Sequence, residues 1–174
     1  MDKIRITSGE LRGRTIKSPK SVLTHPMGSR EKLALFNMIM AKLSEAVVLD
    51  AFAGSGALGI EALSRGAKTV YFVEKNSGVA KTLADNIKSL GLEDRSKVFR
   101  CEAANFEADV CFDIIIADPP YDNFDINDVV CLTKYLKDGG VFVLSHPGSA
   151  PVIEGLNLTN THKYAAASIS VYYK

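Results

Sequence analysis

The chain has 174 residues, 47% of them hydrophobic and 24% charged, with a net charge of +1. Those proportions exclude a disordered or fibrous protein and suit one sizeable core. No apolar run approaches the roughly 18 residues of a membrane span, and the N-terminus opens with charges rather than an apolar signal core, so a soluble, cytoplasmic protein is expected.

The small net charge hides an asymmetry. Residues 1–42 carry nine Lys/Arg against three Asp/Glu, a net +6, and the remaining residues carry a net −5. A basic segment on an acidic body suggests an element that binds a polyanion, with Arg12, Arg14, Arg30 and Lys32 as candidate contacts; a merely solvated basic face is the alternative. The expected organisation is therefore a basic extension over 1–42 and a chemistry-bearing domain over 43–174.

In chain order, Lys3-Ile4-Arg5-Ile6-Thr7 and Arg14-Thr15-Ile16-Lys17 alternate polar and apolar around Gly9 and Gly13, which predicts a β-hairpin. Pro19 and Pro26 bracket a loop. Ser29 can then cap a helix over 30–42, with Leu33, Phe36, Asn37 and Met40 at helical spacing. From Val47 strands alternate with helices: strands at 47–50, 70–74, 97–101, 112–117 and 141–144, and helices at 57–64, 78–90 and 126–136. Two further strands, 162–165 and 169–173, have no helix between them. This pattern predicts a doubly wound, mostly parallel α/β sheet closed by an antiparallel C-terminal edge, with ligands bound beyond the carboxyl ends of the strands. Cys101, Cys111 and Cys131 lack C-x-x-C spacing and are expected to be buried free thiols, and no metal site is expected.

Two strand ends carry chemistry. In Asp50-Ala51-Phe52-Ala53-Gly54-Ser55-Gly56-Ala57-Leu58-Gly59 the glycines satisfy G-x-G-x-x-G at a strand-to-helix turn, and Glu74, twenty positions after Gly54, ends the next strand where a ribose hydroxyl would need a carboxylate. Asp50 would repel a dinucleotide pyrophosphate but attract the ammonium and sulfonium of S-adenosylmethionine, which is the expected cofactor. Glu102 lies where adenine would sit, or is an exposed helix-entry acid. Asp118-Pro119-Pro120-Tyr121 follows the most apolar strand. The prolines stiffen a loop from which Asp118 and the Pro119 carbonyl can accept N–H groups of a planar exocyclic amine while Tyr121 stacks on its ring. Phe124 extends that aromatic wall, or has a core or lid role. His25, His146 and His162 are scattered singly and receive no catalytic role.

These residues resemble a known family. Arg12-Gly13-Arg14, the stretch 26–37 ending Leu35-Phe36-Asn37, the 49–59 turn, Glu61-Ala62-Leu63-Ser64-Arg65-Gly66-Ala67 and Asp118-Pro119-Pro120-Tyr121 look like the bacterial 16S ribosomal RNA (guanine-N2) methyltransferases that modify guanine 966. The resemblance implies a Rossmann-like class I methyltransferase with an N-terminal hairpin, S-adenosylmethionine as donor, and 16S ribosomal RNA of an assembled or assembling small subunit as partner. It implies Asp50, Phe52, Gly54 and Gly56 at the cofactor turn, Glu74 at the ribose, Glu102 and Ala103 at adenine, and Asp118 to Tyr121 at the target amine. Where the family usually has Arg-Pro-Thr, this chain has His25-Pro26-Met27. A DNA adenine-N6 methyltransferase would use the same loop chemistry but lacks room here for a recognition domain. A nicotinamide oxidoreductase would leave the Asp118 loop unused, and a non-catalytic RNA-binding or assembly protein would have no need of either motif.

Overall fold

The computed structural model describes residues 3–19, 27–164 and 167–174, so most of the expected Pro19–Pro26 loop lies outside the described residues. Strands β1 (Lys3–Arg5) and β2 (Thr15–Lys17) pair antiparallel with Ile4 opposite Ile16. The alternation that predicts the hairpin also sorts its side chains, with Ile6 and Ile16 buried and Lys3, Arg5 and Lys17 exposed.

Helix α1 (Ser29–Ile39) differs from expectation in its cap and its face. Gly28 holds the cap position, no side chain caps the helix, and Ser29 is already its first residue. The buried positions are Lys32, Leu35, Phe36 and Ile39, whereas Leu33 and Met40 are 44% and 65% exposed. The inward stripe carries Leu35, Phe36 and Ile39 into the core and brings Lys32 onto a buried carboxylate.

The body follows as β3 (Val47–Asp50), α2 (Ala57–Ser64), β4 (Thr69–Val73), α3 (Ser77–Leu90), β5 (Ser96–Phe99) and β6 (Phe112–Ala117), close to the expected bounds. Asn76 caps α3 by accepting from Gly78 and Val79 N–H, and Gly91, at φ 69°, ends it. The helix expected over 126–136 shrinks to α4 (Asn127–Val130) and a 3-10 turn over Cys131–Tyr135. β-Branched Val129, Val130 and Thr133 favour helix weakly, and the Thr133 hydroxyl bonds back to the Val130 carbonyl at 2.8 Å, tightening the turn. Strand β7 (Leu136–His146) is longer than its apolar run, and β8 (Asn157–Lys163) begins earlier than expected, followed by β9 (Ser168–Tyr173).

Among the described residues, β3 to β9 form one sheet in the order β5-β4-β3-β6-β7-β9-β8, parallel through β7 and antiparallel beyond it. Ile6, Ile16, Leu35 and Phe36 share one apolar cluster with Val48, Ile60 and Leu83, so residues on both sides of position 42 build the same core. The other face of the sheet packs a second cluster around Phe106, Phe112, Phe142 and Tyr172. All three cysteines are free, but none is buried: Cys111 is exposed and Cys101 and Cys131 are half-buried at the ends of elements. On β8 every side chain except Thr161 is exposed, and the ladder shifts register between Leu158 and Asn160.

Candidate functional site

The strand order reverses between β3 and β6, and both motif-bearing strand ends meet there. After β3 the chain turns through Gly54 (φ 53°) and Gly56 (φ 85°), a left-handed path that suits glycine. Gly59 lets α2 close onto the sheet, since a Cβ there would lie 2.2 Å from Phe72 Cε1. Asp50 is only 1% exposed: its Oδ2 accepts from Gly59 N–H at 2.8 Å, and its Oδ1 has no partner among the described residues. Burial pushes this carboxyl up to about 7 despite the Gly59 bond, and the nearby Asp118 and Glu74 charges add to the rise. Asp50, expected at the cofactor turn, is thus enclosed at its base rather than exposed on its wall. Ala51, Phe52, Ala53 and Gly54 form the wall, and Asp50 lies beneath them.

Glu74 stands across the turn, accepting from Gly54 N–H at 3.0 Å with Oε2 and from Asn76 N–H at 2.8 Å with Oε1. Glu102 is exposed and lies 3.7 Å from Lys75, while Ala103 is buried. With Phe52, Gly54, Asp118 and Tyr121 these residues line one cavity of about 660 Å³. That volume is within the range of small-molecule sites.

After β6 the stiff loop puts Pro119 in the protein and leaves Pro120 at the surface. The Tyr121 hydroxyl lies 3.4 Å from Asp118 Oδ1 and is hydrogen-bonded with Ser145 Oγ. Burial pushes Asp118 up to about 6, a rise partly offset by the nearby Ser145 and Tyr121 hydroxyls. The same burial, with the neighbouring Asp118 charge, pushes the Tyr121 phenol up to about 12. Ser145, 2% exposed near the end of β7, escapes sequence reasoning; its one signal is a hydroxyl directly after the apolar run Val141-Phe142-Val143-Leu144 at the ligand-binding edge. Phe124 packs on the second apolar cluster instead of extending the aromatic wall.

Charged side chains on the cavity wall are Glu31, Glu74, Glu102, Asp118, Asp122, Asp125 and Asp128 against Lys75, among the described residues. An acid-rich cavity over a buried carboxylate oxygen without a partner fits a cationic ligand and disfavours a pyrophosphate.

The basic candidates separate. Arg12, Arg14 and Arg30 are exposed, and Arg14 Nη2 donates to the Ser89 carbonyl at 3.3 Å. Lys32 is 2% exposed, donates to the Arg5 carbonyl at 2.9 Å and lies 3.0 Å from Glu61 Oε2, so its ammonium has no path to a phosphate. Glu61 also accepts from Thr7 N–H at 2.9 Å, Thr7 Oγ1 at 2.7 Å, Ser8 N–H at 3.0 Å and Arg65 Nε at 3.0 Å, which ties the hairpin to α2. Burial raises this carboxyl, but the Thr7 bonds and the Lys32 ammonium outweigh it and hold Glu61 below its ordinary value.

The model of the family described as Conserved hypothetical protein 95 matches residues 4–173. The chain belongs to that family. Among its relatives, Ribosomal RNA small subunit methyltransferase D of Haemophilus influenzae is 32% identical over 166 residues, spanning 90% of this chain and 86% of that one. The protein of the same name from Escherichia coli K12 is 34% identical over 140 residues, spanning 79% and 69%. In three dimensions the chain is similar to a candidate methyltransferase of Escherichia coli, yhhF, with a TM-score of 0.89 at 27% identity over 98% of this chain and 97% of that one. The family fold is thus the Rossmann-like class I methyltransferase fold, with the expected mostly parallel sheet and antiparallel edge.

Proposed function

We propose that this chain methylates ribosomal RNA of the small subunit, transferring a methyl group from S-adenosylmethionine to the exocyclic N2 amine of a guanine in 16S RNA. One observation carries the reading: the glycine turn and the Asp118-Pro119-Pro120-Tyr121 loop open on a single cavity, so donor and target amine can lie side by side. The relatives named as small-subunit ribosomal RNA methyltransferases supply the substrate class.

When bound, S-adenosylmethionine supplies an activated methyl group on a positively charged sulfur. In this reading Glu74 accepts from the ribose hydroxyls, Glu102 and Ala103 flank the adenine, and Phe52, Gly54 and Gly56 shape the turn against the donor. Asp50 acts from beneath by its charge. Asp118 and the Pro119 carbonyl accept from the amine, which fixes the direction of its nitrogen lone pair, and Tyr121 stacks on the base. A carboxylate titrating near 6 is mostly ionised at neutral pH, so Asp118 also stabilises the amine as it becomes cationic. Arg12, Arg14 and Arg30 take RNA phosphates, since the acidic cavity cannot. Ribosomal substrate puts this work in the cytoplasm, on an assembled or assembling particle.

The test is methylation of small-subunit particles lacking the modification, with labelled donor and mapping of the modified base. Label on a guanine N2 in 16S RNA supports the reading; label on an adenine, or none on RNA, overturns it.

A further inference from the structure

We propose that Ser145 is a positioning residue of this site, whose hydroxyl fixes the Tyr121 phenol against the Asp118 carboxylate and so keeps the carboxylate ionised and the aromatic ring in place. The proposal rests on reading the Asp118 to Tyr121 loop as the amine-binding element.

Three observations converge. Ser145 is held by strand geometry, opposite Ile169 in the β7 and β9 ladder, and is 2% exposed, so its side chain has little freedom. Tyr121 is 36% exposed, and a ring that open to solvent would ordinarily turn about its side-chain torsions. Here its hydroxyl is tied to Ser145 Oγ, while the prolines fix the other end of the side chain through the backbone.

The direction of the hydrogens follows from chemistry. An ionised carboxylate only accepts, whereas a serine hydroxyl donates one hydrogen and accepts others. The Tyr121 O–H can therefore donate to Ser145 Oγ or to Asp118 Oδ1, leaving the Ser145 O–H free to point at the carboxylate. Each of these arrangements stabilises charged Asp118.

The charged groups around Asp118 are otherwise mostly acidic. Asp50 lies at the end of β3, and Glu31 of α1, Glu74 after β4 and Asp122 of its own loop share the cavity, with Lys75 the cation on the described wall. Burial pushes Asp118 upward, and the Ser145 and Tyr121 hydroxyls restrain that rise, Ser145 the more strongly. Without the Ser145 hydroxyl the carboxyl would hold its proton to higher pH, and a protonated oxygen no longer accepts from an amine.

The experiment follows the Asp118 side-chain carboxyl by carbon-13 NMR across pH in the free protein, and single-turnover methyl transfer to RNA across the same range. Ser145→Ala should move the Asp118 midpoint up by about one pH unit, and the acid limb of the rate profile with it. The KM for RNA should rise about tenfold as the ring loosens, with donor affinity unchanged. Ser145→Thr keeps the hydroxyl and should restore both, and Ser145→Cys, a weak donor of similar shape, gives the upward shift in a second background should the alanine variant fold poorly. An Asp118 midpoint that stays at its wild-type position in Ser145→Ala and Ser145→Cys overturns the proposal. The NMR titration needs neither donor nor RNA. A Ser145-dependent midpoint in a protein that leaves RNA unmethylated would sink the methylation reading alone, and an active enzyme with a Ser145-independent midpoint would sink only the positioning role.

Discussion

Lys32 Nζ lies 3.0 Å from Glu61 Oε2 with both side chains closed off from water, so a buried ion pair joins α1 to α2 of the sheet-bearing body. A buried pair is costly to break from one side, because the surviving charge stays desolvated. Lys32→Met is expected to lower stability by about 3 kcal/mol in urea titration, and Glu61→Ala, which strands both Lys32 and Arg65, by about 5 kcal/mol. Glu61 is held below its ordinary value, so its stabilising contribution is present above the usual carboxylate range and is lost as pH falls through its folded value. Acid unfolding that is identical in wild type and Glu61→Gln would count against this.

Asp50 behaves oppositely. Its carboxyl is raised to about 7, so the stability associated with its neutral form is complete in acid and is lost as pH rises through about 7. Asp50→Asn should leave the free protein more heat-stable than wild type at pH about 8, by roughly 5 °C, and no different at pH about 4. A cationic donor reverses the penalty, so S-adenosylmethionine affinity measured by calorimetry should strengthen between pH about 6 and 8 in wild type and stay flat in Asp50→Asn. Equal thermal midpoints at both pH values would show that the Asp50 environment is not apolar in solution.

RNA affinity should fall steeply with salt if the exposed arginines take phosphates, since each contact releases condensed counterions. Neutralising Arg12, Arg14 and Arg30 together should flatten the slope of log affinity against log salt by about 2 to 3 and leave donor binding intact. Lys32 is absent from this set because its charge is already satisfied within the fold. An unchanged slope in the triple variant would make the three arginines a solvated face.

Chemistry and binding should separate at the loop. Asp118→Ala is expected to retain donor affinity and lose on the order of a hundredfold in single-turnover rate, with Asp118→Asn milder because it keeps one acceptor oxygen. Tyr121→Ala should weaken RNA capture by about 1–3 kcal/mol, the contribution of an aromatic stack on a base. Wild-type turnover in Asp118→Ala would remove the loop from the reaction.

The parallel core was legible because its signals are local. Val47 to Asp50, the glycine turn and the apolar run at 112–117 each announce an element within a few residues. Both motif loops could be placed at one edge of the sheet from the same reasoning, and the cavity joins them there. What escaped depends on distant partners. Lys32 reads as a surface cation until Glu61, twenty-nine positions later, meets it beside Leu35, Phe36 and Ile39 on the inward stripe of α1. Ser145 has no motif, and its importance comes from Tyr121 arriving from another strand end. The short α4 failed on propensity, where β-branched residues and a side-chain bond to the backbone overrode apolar spacing.

The polar outer strand β8 makes the sheet self-limiting. Its sequence, Asn157-Leu158-Thr159-Asn160-Thr161-His162-Lys163, offers Leu158 as the sole large aliphatic, and the register shift beside it breaks the straight row of free N–H and C=O groups that a further strand would need. An added strand would gain backbone bonds but bury almost no apolar area, and backbone bonds exchanged for water contribute little by themselves. The edge thus resists templating a second chain without a covering helix, which lets an otherwise extendable architecture end in solvent and remain resistant to aggregation through that face.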